Sequence, residues 1–333
     1  MIESVEFKNF KALRKATLPL SRFTLIVGPN GSGKSTAMQA LQAVGKLESL
    51  DYSKVITAGI NPSKQAAVQV IVSWSESLGR RVQTVATWPA RGTPSREYPG
   101  SSLTIRKNFE QTLRALRIYS LDAESIAEPT QLQPRMSLAS NGAHLAGVLD
   151  RLRDSAPERF EALNKELGRW LPEYDRILFD TPESGHRSIL LRTREGHHPI
   201  PASELSQGTL FALALLTLAY IPDPPPIICI EEPDRGIHPR LLRNVQDALY
   251  RLSYPESGSE ARAPIQVIAT THSPYMLDLY RDHPEEIVLA QKVGLEARFE
   301  RLSDQVNIDE ILEGARLSDL WYSGILGGVP LHP

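Results

Sequence analysis

The sequence predicts an α/β fold with a mostly parallel central sheet, an N-terminal antiparallel β subdomain and a small helical lobe. Three observations support this prediction. Near the N-terminus, an apolar strand runs into a glycine-rich loop and a helix. In the last third of the chain, short apolar strands alternate with helices, which indicates a parallel sheet with covered faces. Between these parts, β-rich segments are followed by two segments of helical periodicity.

Each element follows from its own pattern of apolar residues. Strands are predicted at residues 2–7, 23–27, 66–74, 81–88, 176–180, 188–192, 226–230, 265–270 and 286–290. Helices are predicted from residue 34 to residue 47, at residues 144–153, 157–170, 206–220 and 239–252, and in a short segment from Pro274. Gly, Pro and Ser are frequent in residues 89–102, which we expect to form a long connection.

Composition narrows the class of protein. The chain has 333 residues, a net charge of −2 and one cysteine, Cys229. A single cysteine excludes an internal disulfide and a Cys-based zinc cluster, so we expect a reducing compartment, the cytoplasm. The longest apolar segment, residues 210–221, is shorter than the roughly 20 residues that a membrane-spanning helix needs. Residues 1–6 lack the pattern of a secretory signal. We therefore expect no membrane segment.

The first motif that carries chemistry is GPNGSGKST at residues 28–36, which fills every fixed position of the phosphate-loop pattern. Glycines let successive backbone N–H groups point at a phosphate, and the next helix adds its positive N-terminal end. A chance glycine-rich turn is disfavoured by the strand before it and the helix after it. The predicted nucleotide-binding residues here are Gly28, Pro29, Asn30, Gly31, Ser32, Gly33, Lys34, Ser35 and Thr36. Lys34 would reach the β- and γ-phosphates, and Ser35 would bind Mg²⁺.

Two carboxylates end an apolar segment, residues 226–230. Glu231 is expected to support the Mg²⁺ shell, and Glu232 to polarise the attacking water. Taken without the phosphate loop, these two carboxylates would be explained equally well as the solvated acidic end of a strand. His272 follows another apolar strand and could contact the γ-phosphate or the lytic water. The alternative for His272 is a satisfied polar residue at a strand end.

The segment LSQGT places Ser206, Gln207 and Gly208 at the start of a long helix. A hydroxyl and free N–H groups at a helix start can bind an anion, although an ordinary N-cap is the simpler interpretation. If this helix start and the phosphate loop bind the same ATP, one of them must come from a second molecule. The pattern then predicts a head-to-tail homodimer.

In the order GPNGSGKST, LSQGT, IICIEEPDRGIHP and TTHSP, these motifs resemble the ABC-ATPase superfamily in its RecF/SMC/OLD-like branch. The resemblance implies a P-loop NTPase with ABC-ATPase head architecture, ATP hydrolysis, and ATP and Mg²⁺ as cofactors. It implies a Walker A motif at residues 28–36, a signature at residues 206–208, a Walker B carboxylate at Glu231, a catalytic Glu232, a D-loop at residues 236–239 and a switch residue, His272. The resemblance also implies that Lys34 takes part in catalysis.

Two further assignments rest on the same resemblance. Lys11 would contact the nucleotide. The Q-loop glutamine stays open among Gln65, Gln69 and Gln83. The portions of the expected single domain are the Walker A portion (1–60), a β-rich basic insertion (61–142), the helical lobe (143–200), the signature, Walker B and switch-histidine portion (201–295) and a C-terminal tail (296–333).

The same resemblance suggests partners. Roughly sixty residues follow His272, too few for the Toprim nuclease domain of OLD proteins. We therefore expect a separately encoded effector, a nuclease, and a stand-alone OLD-like ATPase of anti-phage defence. Dimers could pair into a higher oligomer. Residues 319–330 are apolar and aromatic, and either pack on their own domain or dock a partner.

Residues 75–120 hold eight basic and three acidic residues, a local charge of +5. Double-stranded DNA could bind through Arg80, Arg81, Arg106 and Lys107, although arginines on solvated strand faces are a competing explanation. Two other functions stay open as alternatives. One is the ATPase subunit of an ABC membrane transporter, which LSQGT disfavours. The other is a metabolic kinase, which has no use for a signature motif.

Overall fold

The protein is described here by a computed structural model, which covers residues 1–47, 51–57, 66–77, 80–255, 263–294, 296–306, 308 and 315–326. The chain divides into two compact units. Unit 1 comprises Met1–Ile118, Pro225–Cys229 and Ile265–Pro333, and unit 2 comprises Tyr119–Pro224 and Ile230–Pro264. Each unit is therefore assembled from segments that are distant in sequence.

Unit 1 contains most of a six-stranded sheet. In chain order its strands are β3 (Phe23–Val27), β7 (Arg117–Tyr119), β12 (Ile227–Glu231), β13 (Gln266–Thr271), β14 (Ile287–Val293) and β15 (Glu296–Arg301); of these, β7 and β12 end with residues of unit 2. Across the sheet the order is β15, β14, β3, β13, β12, β7. Strand β3 is parallel to both β13 and β14, whereas β15 is antiparallel to β14. Every residue of β3 and β13 is buried, as expected for a sheet covered on both faces.

A second, antiparallel sheet also lies in unit 1. Its strands are β2 (Leu13–Pro19), β1 (Ile2–Phe10), β4 (Val68–Ser77), β5 (Arg80–Trp88) and β6 (Ser95–Glu97), in that order. The buried residue Val5 of β1 lies opposite Leu18 of β2 on one side and opposite Val72 of β4 on the other. This sheet confirms the predicted N-terminal antiparallel subdomain. Its strand β6 lies within residues 89–102, which we had expected to form only a connection.

The helices of unit 1 are α1 (Lys34–Gly45), α2 (Tyr52–Val55), α3 (Leu103–Ala115), α9 (Pro274–Asp278) and α10 (Leu317–Tyr322). The sequence did not predict α3, which lies inside the segment interpreted as β-rich. Its Phe109 stacks on Trp74 of β4 with ring centroids 4.2 Å apart. Packing against the antiparallel sheet thus stabilises a helix whose outer face is polar and basic.

Helix α10 packs on α9 through the buried residues Leu317 and Trp321. The backbone N–H of Ser318 also donates to Asp278 Oδ1, at 2.8 Å. Of the two interpretations of the C-terminal segment, packing on its own domain therefore applies to these residues. Tyr322 and Ile325 remain exposed.

The described residues of unit 2 form a helical lobe and four strands. Its helices are α4 (Ala123–Ala127), α5 (Leu145–Ser155), α6 (Pro157–Trp170), α7 (Gln207–Tyr220) and α8 (Leu242–Ser253). Its strands are β8 (Thr130–Gln131), β9 (Tyr174–Asp180), β10 (His186–Thr193) and β11 (Pro199–Pro201). Helix α7 is buried at every position from Thr209 to Tyr220 and packs against the other four helices. A helix that is apolar on all sides needs such a complete covering.

Among the helices of the described residues, none combines the length and the apolar character needed to cross a membrane.

Candidate active site

The phosphate-loop segment connects β3 to α1. The strand ends at Val27, and the helix begins at Lys34 directly after Gly33. Gly31 and Gly33 have φ angles of 76° and 100°, in the left-handed region that glycine adopts at no steric cost. No side chain caps α1. Backbone N–H groups without a side-chain cap at the start of a helix are suited to bind an anion.

The first glycine of the loop has a packing role that the motif alone does not reveal. A Cβ atom on Gly28 would lie 2.2 Å from the carbonyl oxygen of Ala290 on β14. A Cβ atom on Gly33 would lie 3.0 Å from side-chain atoms of Leu13 and Ala297. The loop therefore sits directly against neighbouring strands of unit 1, and glycine is needed there for space as well as for backbone freedom.

Lys34 directs its ammonium group back into the loop. Its Nζ donates to the carbonyl oxygens of Gly28, at 2.7 Å, and Pro29, at 3.0 Å, and the residue is only 6 % exposed. The buried Oγ of Ser32 has no hydrogen-bond partner among the described residues. A buried ammonium group and a buried hydroxyl in one loop suit a phosphate, which accepts hydrogen bonds from both. Ser35, in contrast, is exposed.

His272 lies at the same sheet edge as the phosphate loop. Thr271, the last residue of β13, is paired in parallel register with Val27, the last residue of β3. The residues that follow this pair are His272 and Gly28. His272 is half-buried, and the chain then turns into α9, whose N-cap is Ser273. The structure thus brings together two motifs of unit 1 that the sequence separates by more than 230 residues.

Lys11 is fixed beside α1. It has a left-handed φ of 48°, and its Nζ donates to Gln39 Oε1 at 2.8 Å. Of the three Q-loop candidates, Gln69 donates to Thr87 Oγ1 at 3.4 Å, Gln83 donates to a serine of β4, and Gln65 lies outside the described residues. No candidate is singled out by these contacts.

The two carboxylates belong to unit 2. Glu231 is the last residue of β12, and Glu232 follows it with a left-handed φ of 47°. For an L-residue with a Cβ this conformation costs about 1–2 kcal/mol. The carbonyl oxygen of Glu232 accepts a hydrogen bond of 2.9 Å from the N–H of Arg235. Strained backbone of this kind is often found at functional positions.

The signature residues lie at the start of α7, also in unit 2. Ser206 is the N-cap, and its Oγ accepts from the N–H of Thr209 at 3.2 Å. The N-cap interpretation is therefore correct as a description of its local contact. Ser206 and Gln207 are nevertheless exposed. A Cβ atom on Gly208 would lie 2.5 Å from the carbonyl oxygen of Gly236, which sequence reasoning missed.

The residues suggested for DNA contact are described only in part. Arg106 and Lys107 are exposed on α3. Arg80 and Arg81 begin β5, but their side chains lie outside the described part of the chain. Elsewhere in the basic segment, Arg96 and Arg114 form ion pairs with Glu110, at 3.5 Å and 2.9 Å. Part of the local positive charge is therefore compensated within unit 1.

Comparisons with known proteins support the family that the motifs resemble. A family model described as "AAA domain, putative AbiEii toxin, Type IV TA system" matches residues 96–278, and a model described as "AAA ATPase domain" matches residues 1–83. The OLD nuclease of Thermus scotoductus is 23% identical over 331 residues, which cover 84% of this chain and 60% of that protein. The structural maintenance of chromosomes protein 1 of Caenorhabditis elegans is 27% identical over 187 residues, 53% of this chain and 13% of that protein. The chain thus spans less than two thirds of either relative.

Solved structures show the same fold. The SMC head bound to the C-terminal winged-helix domain of ScpA has a TM-score of 0.63 at 18% identity, covering 90% of this chain and 96% of that one. The SMC head domain from Thermotoga maritima has a TM-score of 0.53 at 17% identity, covering 90% and 98%. Because the first family model matches more than half of the chain, the chain belongs to that family of AAA domains, and it is an ABC-type ATPase domain similar to OLD and SMC proteins.

Proposed function

We propose that the protein is an ATP-gated switch that forms a head-to-tail homodimer around Mg-ATP and separates when the ATP is hydrolysed. The observation that carries this proposal is the exposure pattern of α7. From Thr209 onward the helix is buried, whereas Ser206 and Gln207 are exposed. A motif that is exposed at the positive end of a buried helix is well suited to bind the phosphates of a nucleotide held by a second copy.

The phosphate loop, residues 28–36, would bind the nucleotide of its own copy, assisted by Lys11. The inward-facing ammonium group of Lys34 and the buried hydroxyl of Ser32 support this role. Ser35 and Glu231 would hold Mg²⁺, since hydroxyl and carboxylate oxygens are its preferred protein ligands. The ion would neutralise phosphate charge when bound. Glu231 carries one methylene more than the aspartate usual at this position, which lengthens its reach to the metal.

Glu232 would act as the general base that orients the attacking water, and His272 would respond to the γ-phosphate. The glutamate side chain of Glu232 is flexible, but its left-handed backbone conformation fixes the position of its Cβ atom. His272 follows a strand in register with the phosphate loop's strand. Both residues thus start from defined backbone positions, as a general base and a γ-phosphate contact require.

We further propose that the switch controls a separately encoded effector, a nuclease, in anti-phage defence, with dimers that can pair into higher oligomers. Similarity to an OLD nuclease supports a nuclease as the controlled activity, because this chain is 23% identical to that protein over 331 residues. The transporter alternative finds no support among the relatives named above.

The switch is tested by sedimentation with and without Mg-ATP. Glu232→Gln should trap an ATP-dependent dimer because the nucleotide is bound but not cleaved. Lys34→Ala should stay monomeric under all conditions because it loses the charge that binds phosphate, and it serves as the control. If Glu232→Gln sedimented identically with and without ATP, the dimer switch would be wrong.

DNA binding is a separate part of the proposal. The exposed pair Arg106 and Lys107 would contact the phosphate backbone, together with Arg80 and Arg81. Binding of duplex DNA by Glu232→Gln in Mg-ATP should weaken steeply as salt rises. Replacing Arg106 and Lys107 with glutamate should weaken it further. No binding at low salt would refute a DNA-contacting role.

A further inference from the structure

The turn after Glu232 is attached to helix α7 at two points. The first is a backbone contact, since Gly236 approaches Gly208 so closely that a Cβ on Gly208 would meet its carbonyl oxygen at 2.5 Å. A Cβ on Gly236 would in turn lie 3.3 Å from the side-chain amide of Gln207. The backbones of Gly236 and Gly208 therefore touch without an intervening side chain.

The second attachment is the side chain of Arg235. Its Nη2 donates to the carbonyl oxygen of Leu121, just before α4. Its guanidinium carbon lies 5.3 Å from the ring centroid of Phe211, a buried residue one turn into α7. Asp122, the N-cap of α4, adds an attractive charge interaction with Arg235. A planar guanidinium group is suited to combine ring stacking with a directed hydrogen bond, which an ammonium group is not.

Arg235 is also joined to Glu232 through the backbone. The N–H of Arg235 donates to the carbonyl oxygen of Glu232 at 2.9 Å, and the N–H of Ile237 donates to the carbonyl oxygen of Asp234 at 3.2 Å. This tight turn follows directly on the left-handed φ of Glu232. Because such a conformation persists only where the surroundings enforce it, the anchoring of Arg235 bears on how firmly Glu232 is held.

We propose that Arg235 is a positioning residue for ATP hydrolysis, which clamps the turn after Glu232 to α7 and α4. This inference rests on the proposed role of Glu232 as general base. The clamp makes the backbone of Glu232 and the exposed start of α7 parts of one body within unit 2. The phosphate loop lies in unit 1, so loss of the clamp should reduce the rate of the chemical step and leave ATP binding to the phosphate loop unchanged.

The test compares Arg235→Ala, Arg235→Lys and Phe211→Leu with wild type. For each protein, kcat and KM for ATP are measured, and ATP affinity is measured with a fluorescent ATP analogue. Arg235→Ala should lower kcat about 10- to 100-fold, since a misplacement of about 1 Å costs that much in rate. Analogue affinity should stay within twofold. Arg235→Lys should recover only part of kcat, and Phe211→Leu should lower kcat by removing the ring face.

Arg240→Ala is the matched control, because Arg240 is an exposed arginine in the following 3₁₀ turn, and it should keep wild-type kcat. A double variant of Arg235→Ala with Phe211→Leu should lose less than the product of the single losses. If Arg235→Ala is unstable at the assay temperature, Arg235→Lys and Phe211→Leu carry the test. Wild-type kcat in these folded variants, or equal losses in kcat and analogue affinity, would overturn the inference.

Glu232→Gln, assayed in parallel, separates the two proposals. If Glu232→Gln hydrolyses ATP at the wild-type rate, the proposed role of Glu232 fails, whatever Arg235 does. If Glu232→Gln is inactive while the Arg235 variants are fully active, the role of Glu232 stands and the positioning inference fails.

Discussion

Gln266 joins three backbone segments of unit 1, and its replacement should lower the free energy of unfolding. The residue is 4 % exposed at the start of β13. Its Oε1 accepts from the N–H of Ile2 at 2.8 Å, while its Nε2 donates to the carbonyl oxygens of Ile2, at 2.7 Å, and Ser21, at 2.9 Å. Gln266→Leu keeps the side-chain volume and deletes all three hydrogen bonds.

The expected loss follows from the number of bonds. Each hydrogen bond contributes about 0.5–1.5 kcal/mol, which gives roughly 1.5–4.5 kcal/mol for three. The apolar leucine recovers part of this, so we expect the free energy of unfolding to fall by about 2–3 kcal/mol. Gln111→Leu, the same change on the exposed face of α3, should stay within about 0.5 kcal/mol of wild type.

Urea unfolding followed by circular dichroism measures both variants, and hydrogen exchange of peptides from residues 1–10 localises the effect. In Gln266→Leu, the amides of β1 should exchange faster than those of α7. If Gln266→Leu unfolded at the same urea concentration as Gln111→Leu, the side chain would not be stabilising the junction, and the reasoning from buried hydrogen bonds would be refuted.

Three further predictions concern backbone strain, close packing and charge. Glu232→Gly should raise the free energy of unfolding by about 0.5–1 kcal/mol, because relief of the left-handed conformation exceeds the entropic cost of glycine, while abolishing ATP turnover; a lower melting temperature would contradict this. Gly208→Ala should lower kcat at least about tenfold without loss of nucleotide binding, since its Cβ would meet the Gly236 oxygen; normal kcat would contradict it. The hydrogen bond from Arg192 lowers the pKa of Asp175. The stabilisation by this ion pair is therefore fully present above the ordinary aspartate pKa of about 4 and is lost as the pH falls through the lowered pKa. The melting-temperature difference between wild type and Asp175→Asn should therefore shrink from pH 6 to pH 3, and a constant difference would count against the ion pair.

Elements with a pattern of their own were predictable from the sequence. Strand β3 (Phe23–Val27) and helix α6 (Pro157–Trp170) were predicted with their observed bounds. The first is apolar at four of its five positions and is followed by a glycine. The second starts with a proline at its first position and repeats its apolar residues at helical spacing.

Elements defined by their neighbours were missed. Strand β2 carries arginine and lysine, and β15 alternates charged residues with Ala297 and Phe299. Each pairs with another strand on one side, and such strands take their conformation from that partner more than from their own residues. Helix α3 was missed for a similar reason, since Phe109 gains its stabilisation from Trp74.

The chemical types at the site were predictable, but their contacts were not. The glycine pattern indicated the phosphate loop, yet the approach of Gly28 to Ala290 depends on how β14 aligns with β3. The contact of Gly208 with Gly236 likewise joins residues from two different elements. Contacts of this kind depend on the tertiary packing, which a local pattern does not encode.

The division of unit 1 along the chain has a consequence for how the protein is made. Strand β3 pairs with β13 and β14, which are synthesised more than 240 residues later. A ribosome-bound N-terminal portion therefore carries a strand in which four of five residues are apolar, without either of its parallel neighbours. Such a nascent chain has to wait for β13 and β14 before its main sheet can close, which makes folding slow and dependent on protection from aggregation during translation.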